Sequence, residues 1–132
     1  MVIQKRRNTL SLTLRVIYAV CLVGAAYNHL TAILSHGVLW DYNYGAGFPI
    51  FSRIFWAILT ILDPASAFLL FARPTWGVRM TTGIIISDVI HNIWVVERFS
   101  NVPWHLFFNV SPLSEQIVFM VFVIVTFRFA VG

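Results

Sequence analysis

Ser87, Asp88, His91 and Asn92 put an alcohol, a carboxylate, an imidazole and an amide inside one apolar run, Val78–Val96. Positions three and four apart share a helix face, so these groups are expected on one side of one helix. A carboxylate and an imidazole at such spacing can exchange a proton, ligate a metal or hold a cation. A charged Asp at the centre of a membrane helix costs at least ~2.5 kcal/mol, so such groups face a partner, a cavity or a function. A second polar pair, Asn28–His29, lies inside another apolar run.

The elements that must position these groups are membrane helices. The chain has 132 residues, 59% of them hydrophobic, above the roughly 45–50% of a soluble domain. Four runs approach the ~20 residues that cross a bilayer. They lie near Leu10–Ser35, Pro49–Ala72, Trp76–Glu97 and Leu113–Phe129. Together they leave no room for a second domain, so residues 1–132 are read as one all-α, four-helix integral membrane bundle. Lys5, Arg6 and Arg7 precede the first run, as in a signal peptide. The run is longer than a ~7–15-residue signal core, and no small-residue cleavage site follows, so it is read as a retained helix.

Basic residues set the orientation. Lys5, Arg6, Arg7 and Arg15 flank the first run, Arg73 and Arg79 the turn between the second and third, and Arg128 the C-terminus. The other two loops, His36–Phe48 and Arg98–Pro112, hold only Arg98, with Arg53 just beyond. Both termini are therefore expected in the cytoplasm, and the net charge of +4 reflects topology and an anionic inner leaflet. Nucleic acid is excluded as a partner, since the basic residues form no separate soluble patch. Trp40, Tyr42, Tyr44, Trp76 and Trp104 fit interfacial belts, and Trp104–Phe108 fits a short interfacial helix capping the bundle. Asn109-Val110-Ser111 matches a glycosylation pattern followed by Pro112, in a chain with no other eukaryotic secretory sign. The single cysteine, Cys21, rules out an internal disulfide and reads as a packing residue.

A rise of 1.5 Å per residue puts His29 and His91 each about 9 Å below the outer ends of their helices, and Asp88 at about 13 Å. Asn28 and Asn92 accompany them, and Glu115 and Gln116 open the fourth helix near the same surface. Gly24, Ala25, Asn28 and Ala32 make a small-residue side on which helices can approach closely. Arg53, Trp56, Thr60 and Asp63 make a stripe on the second helix, where Arg53 can snorkel or pair with Glu115 or Glu97. Pro64 removes an amide and frees the Thr60 carbonyl, so a kink is expected there, with Asp63 as a local cap. Glu115, Phe119, Phe122 and Thr126 share a face of the fourth helix, and a first-turn Glu115 suits the helix dipole. The bland reading of all these polar groups is interhelical glue.

Several chemistries use such groups. His29, His91 and Asp88 are acceptable zinc or iron ligands, though carboxylate-bridged bundles carry two Glu-x-x-His motifs and this chain has one Asp-x-x-His. Two histidines at matched depth fit a bis-histidine haem, without the Cys-x-x-Cys-His attachment motif. Asp88 and His91 could serve as acid and base on an apolar, lipid-like substrate. Small multidrug transporters match in size alone, since the first run here holds no acid.

The segments Leu62-Asp63-Pro64, Ala72-Arg73-Pro74 and Ser87-Asp88-Val89-Ile90-His91-Asn92-Ile93-Trp94-Val95 together resemble a pattern in small uncharacterised bacterial four-helix membrane proteins. That resemblance implies a bacterial inner-membrane location and nothing about activity. The four-helix shape with buried acids and an Asn also resembles the sterol-isomerase-like membrane domain family, with no motif that aligns residue by residue and so no site to carry over.

The sequence therefore leads to an outer-half polar pocket of Asn28, His29, Asp88, His91 and Asn92, with Arg53 and Glu115. The leading expectation is binding of a small ligand or cation, as a transport accessory or complex subunit. The alternatives are an Asp88/His91 enzyme and a purely structural subunit. The lipid bilayer is the expected partner, with a membrane-protein partner or a homo-oligomer beside it. The sequence names no cofactor.

Overall fold

The structure, a computed structural model, describes residues 2–109 and 112–132. The fold is all-helical: α1 spans Val2–His36, α2 Ile50–Ala72, α3 Pro74–Phe99 and α4 Leu113–Val131, with a 3-10 turn at Trp104–Asn109. Val110 and Ser111, the second half of the Asn-Val-Ser pattern, lie outside the described residues.

α1 starts well before the expected Leu10, because Gln4, Lys5, Arg6 and Arg7 are good helix formers and nothing in that stretch breaks a helix. Gly37 ends it. Its φ of 92° is the left-handed cap conformation that glycine adopts without a Cβ penalty, and its amide donates to the Ile33 carbonyl at 2.8 Å. α2 and α3 are joined by Arg73 alone. The proline that follows forces Arg73 out of the helical region, to φ −144° and ψ 78°, and Pro74 occupies the first turn of α3, where its missing amide costs nothing. So abrupt a hairpin needs close backbones. A Cβ at Gly77 would collide with the Leu69 and Leu70 backbone, so only glycine fits there. Pro64 lies inside α2, which runs through it as one helix.

Each helix packs on its neighbour in sequence and α4 closes on α1, so the helices form a ring with α1 and α3 on a diagonal. Two apolar clusters fill it. The first takes Leu14, Tyr18 and Leu22 from α1, Ala67 and Leu70 from α2, Val78, Ile85 and Val89 from α3, and Val123 and Ala130 from α4. The second joins Phe48, Trp56, Leu59 and Val95 beneath the α1–α2 loop.

The polar distribution is inverted relative to a water-soluble bundle. Ser11, Ser52, Asp63, Ser66, Thr81 and Asp88 are buried, while Leu34, Ile61, Phe68, Val118 and Val125 are exposed. The buried hydroxyls bond across helices. Ser66 meets the Thr81 hydroxyl at 2.8 Å, Tyr18 meets Thr126 at 2.6 Å and Ser11 donates to the Ala130 carbonyl at 2.9 Å. Arg15 donates to the Leu70 carbonyl at 3.1 Å, serving the C-terminal end of α2.

Among the described residues, three helices are long and apolar enough to cross a membrane: α1, α2 and α4. The sequence reading expected four. α3 has the length, but Arg79, Asp88, Glu97 and Arg98, together with its hydroxyls and amide, lower its hydropathy.

Candidate functional site

Between the two apolar clusters lies a polar level. On α2, Asp63 stands one turn past Leu59 and one turn before Ala67. On α3, Asp88 stands between Val95 and Ile85. Both carboxylates line a cavity of about 360 Å³. Its walls are Cys21, Leu22, Gly24, Ala25, Asn28 and His29 of α1, Ile84 and Ile85 of α3, and Pro112, Glu115, Gln116 and Phe119 of the α4 end. Asp63 and Asp88 are deeply buried, at 2% and 7% exposure. Asn28 and Glu115 are exposed and form the rim.

Asn92 organises one wall. Its amide nitrogen donates to Asp88 Oδ1 at 2.9 Å and to Gln116 Oε1 at 2.8 Å, and its oxygen accepts from Trp56 Nε1 at 3.0 Å. One side chain of α3 thereby ties α2 and α4 to Asp88, and its donors and its acceptor are all engaged. Asp63 differs. Among the described residues it accepts no hydrogen bond and makes no ion pair. Neither of the arginines nearest in depth is offered to it. Arg15 bonds the Leu70 and Ser11 carbonyls, and Arg53 bonds the Phe48 carbonyl at 3.0 Å and that of Leu39 at 3.4 Å.

A second cavity, of about 260 Å³, shares His29, Pro112 and Gln116 with the first and adds Tyr42, Tyr44, Trp56, Asn92, Val95, Val96 and Leu113. It lies beneath an ordered loop. Tyr42 and Asn43 both have positive φ, 52° and 66°, a conformation that is uncommon outside glycine and needs support. The Asp41 carboxylate supplies some, accepting the Asn43 amide at 3.0 Å. Rings supply the rest, with Trp40 stacked on Tyr42 at 4.5 Å and Tyr42 edge-on to Trp56 at 4.4 Å. The Tyr42 phenol is held above its ordinary range, first by burial and then by the negative charge of Asp88.

The residues singled out from the sequence divide into two groups. Asn28, His29, Asp88 and Glu115 meet at the deeper cavity, and Asn92 lines the upper one. His91 and Arg53 do not join them. His91 follows Asp88 by three positions but turns toward α2, where Nε2 meets Ser52 Oγ at 3.0 Å and the ring packs 4.4 Å from Phe55 and 5.3 Å from Trp56. Its Nδ1 is buried without a partner. The set His29, His91 and Asp88 is therefore not assembled, and no group of three or more metal-ligating side chains occurs among the described residues. The shared histidine cavity that a haem would need is absent for the same reason. Arg53 does not pair with Glu97 or Glu115, because the first turn of α2 places it directly under the loop carbonyls. Ser87 is exposed, away from the cavity.

Sequence reasoning set Gln116 beside Glu115 at the level of the site without naming it a site residue, and it read Trp56 and Asp63 only as a stripe on the second helix. The Asp63–Pro64 step offered a local structural role that hid the carboxylate's position. Its spacing of seven from Trp56, two turns along one face, was the available signal. Compared with protein-family models, curated proteins and solved structures, the chain matches none.

Proposed function

We propose that the chain is a four-pass membrane protein with both termini in the cytoplasm, in a bacterial inner membrane, and that it binds a small organic cation in the cavity closed by Asp63 and Asp88. The observation that carries this reading is the pair of buried carboxylates facing one space with no Lys or Arg in its lining and no ion pair to either among the described residues. A buried charge without a partner costs several kcal/mol. A bound cation removes that cost where interhelical glue does not, since Asp63 holds no helix to another. The volume suits a small molecule, and Leu22, Ile84, Ile85 and Phe119 favour one with an apolar body. The upper cavity adds the rings of Tyr42, Tyr44 and Trp56, and aromatic faces attract cations. The inverted surface and the loop-by-loop charge bias support the membrane setting. An Asp88/His91 acid–base pair has less support, because the two side chains serve different surroundings.

The test compares 2-phenylethylamine with the neutral 2-phenylethanol on detergent-purified protein by thermal unfolding. The amine is expected to raise the midpoint and the alcohol to leave it unchanged. Asp63→Asn and Asp88→Asn should each remove the amine's effect. Equal responses to amine and alcohol would refute the cation reading.

A further inference from the structure

At the opposite end of the molecule the seam between α1 and α4 opens into a groove of about 400 Å³ lined by Arg6, Arg7, Leu10, Arg128 and Phe129. We propose that this groove binds the phosphodiester of an anionic phospholipid. The inference rests on the membrane setting but not on the cavity between Asp63 and Asp88.

Three guanidinium groups from two helices face one groove, and none makes an ion pair among the described residues. No Asp or Glu side chain is at hand to neutralise them. Asp41, Glu97 and Glu115 belong to the other end, and Asp63 and Asp88 to the cavity. Arginine forks match phosphate oxygens in bidentate geometry, so convergent arginines make an anion site in a way that scattered lysines do not. Depth agrees with this assignment. Ser11 bonds the Ala130 carbonyl near the end of α4, so Arg6 and Arg7 lie about 6–8 Å further along α1. That is the headgroup layer if α2 ends at the inner boundary of the hydrocarbon, as the bond from Arg15 to Leu70 places it. Arg128 lies on the hydrocarbon side of Ala130 and reaches the same groove by extending toward the surface. Leu10 and Phe129, both about half exposed, give an acyl chain an apolar wall directly above the phosphate. Basic pockets between membrane helices on the cytoplasmic side bind acidic lipid headgroups by this combination.

Native mass spectrometry of the protein in dodecyl maltoside, titrated with phosphatidylglycerol, phosphatidylcholine or inorganic phosphate, tests the proposal. Phosphatidylglycerol should be retained at least ~5-fold more tightly than phosphatidylcholine. Arg128→Gln and the double change Arg6→Gln/Arg7→Gln should each bring it down to the phosphatidylcholine level, and millimolar phosphate should not displace it. Lys5→Gln removes the same charge from a position outside the groove, so it should leave retention unchanged. Equal retention of the two lipids, an equal loss in Lys5→Gln, or displacement by phosphate would each overturn the lipid site. These results are read on detergent-solubilised protein, so they are distinct from failure of the membrane setting, which would appear as a chain that stays monomeric in buffer without detergent.

Discussion

The Asp63 and Asn92 side chains are both polar, one lining the deeper cavity and the other the upper one, yet their replacement should act in opposite directions. Asn92 holds Trp56, Asp88 and Gln116 together, so Asn92→Leu strands three polar partners and should lower stability by more than the ~0.6 kcal/mol of one average interhelical bond. Trp56→Phe removes a single member of that network, with a loss expected between about 0.6 and 1.7 kcal/mol. Asp63 holds nothing. Asp63→Leu exchanges an unpartnered buried carboxylate for an apolar group and should raise the unfolding midpoint while abolishing the response to amines, a trade of stability against function. Urea or thermal unfolding of the three variants beside the parent measures all of this. A destabilised Asp63→Leu would mean that the carboxylate has a structural partner after all. Tyr42 reports on the same charge from outside the helices. Its phenol stays protonated beyond its ordinary range because of burial and Asp88. The folded state therefore holds a proton that the unfolded chain gives up above pH ~10, and stability contributed by this loop falls as pH rises through that region. Asp88→Asn removes the negative neighbour, so the Tyr42 titration followed by NMR should move down toward, though not to, its ordinary value.

Two glycines of the helices, Gly77 and Gly24, separate packing from space. Gly77 sits where α2 and α3 touch backbone to backbone, and a methyl group there meets Leu69 and Leu70. Gly77→Ala should force the hairpin apart and lower stability by roughly 1–3 kcal/mol. Gly24 lines the cavity and a Cβ there meets nothing within 4 Å. Gly24→Leu should therefore fold normally and fill the space, removing amine binding with no loss in the unfolding midpoint. Binding that survives Gly24→Leu would place the ligand elsewhere. The same elements show what could be read from sequence. The α2–α3 turn was legible, because Ala72-Arg73-Pro74 dictates a break whatever packs around it. Depth was legible in part: Asn28, His29, Asp88 and Glu115 do meet at the cavity, but helix rise alone put Asp63 deeper, in the inner half, and it lines the same cavity. Rotation about the helix axis was not. His91 and Asn92 are adjacent and equally deep, but a step of about 100° sends one to Ser52 and Phe55 and the other to Gln116. Only the partner helices decide which of two such neighbours faces the cavity. Gln116 had no periodic signal of its own, because α4 is apolar nearly all round.

At the scale of the whole molecule the polar groups are inside and the apolar ones outside, which places the solvent problem with α3. α1, α2 and α4 are apolar enough to cross a membrane on composition alone, and α3 is not. Several of its polar side chains nonetheless bond to neighbouring helices, although His91 Nδ1 is buried without a partner. Thr81 bonds Ser66, His91 bonds Ser52, and Asn92 bonds Trp56 and Gln116. A helix so furnished can cross hydrocarbon when its neighbours satisfy it and cannot when alone. The number of crossings then has a parity that can be measured. If α3 crosses with the rest, four passes leave both termini on one side, and the distribution of Lys and Arg makes that side the cytoplasm. If α3 lies outside the hydrocarbon, three passes leave the termini on opposite faces. Replacing Cys21 by serine and introducing single cysteines at Asn8, Asn101 and Gly132 allows labelling of intact cells with a membrane-impermeant maleimide. Asn101 alone should label, and Asn8 and Gly132 should react only after the membrane is opened. Labelling of Gly132 from outside would remove α3 from the bilayer. The cavity would go with it, since Asp88 and Asn92 could no longer stand beside Asp63 and Trp56 at one depth.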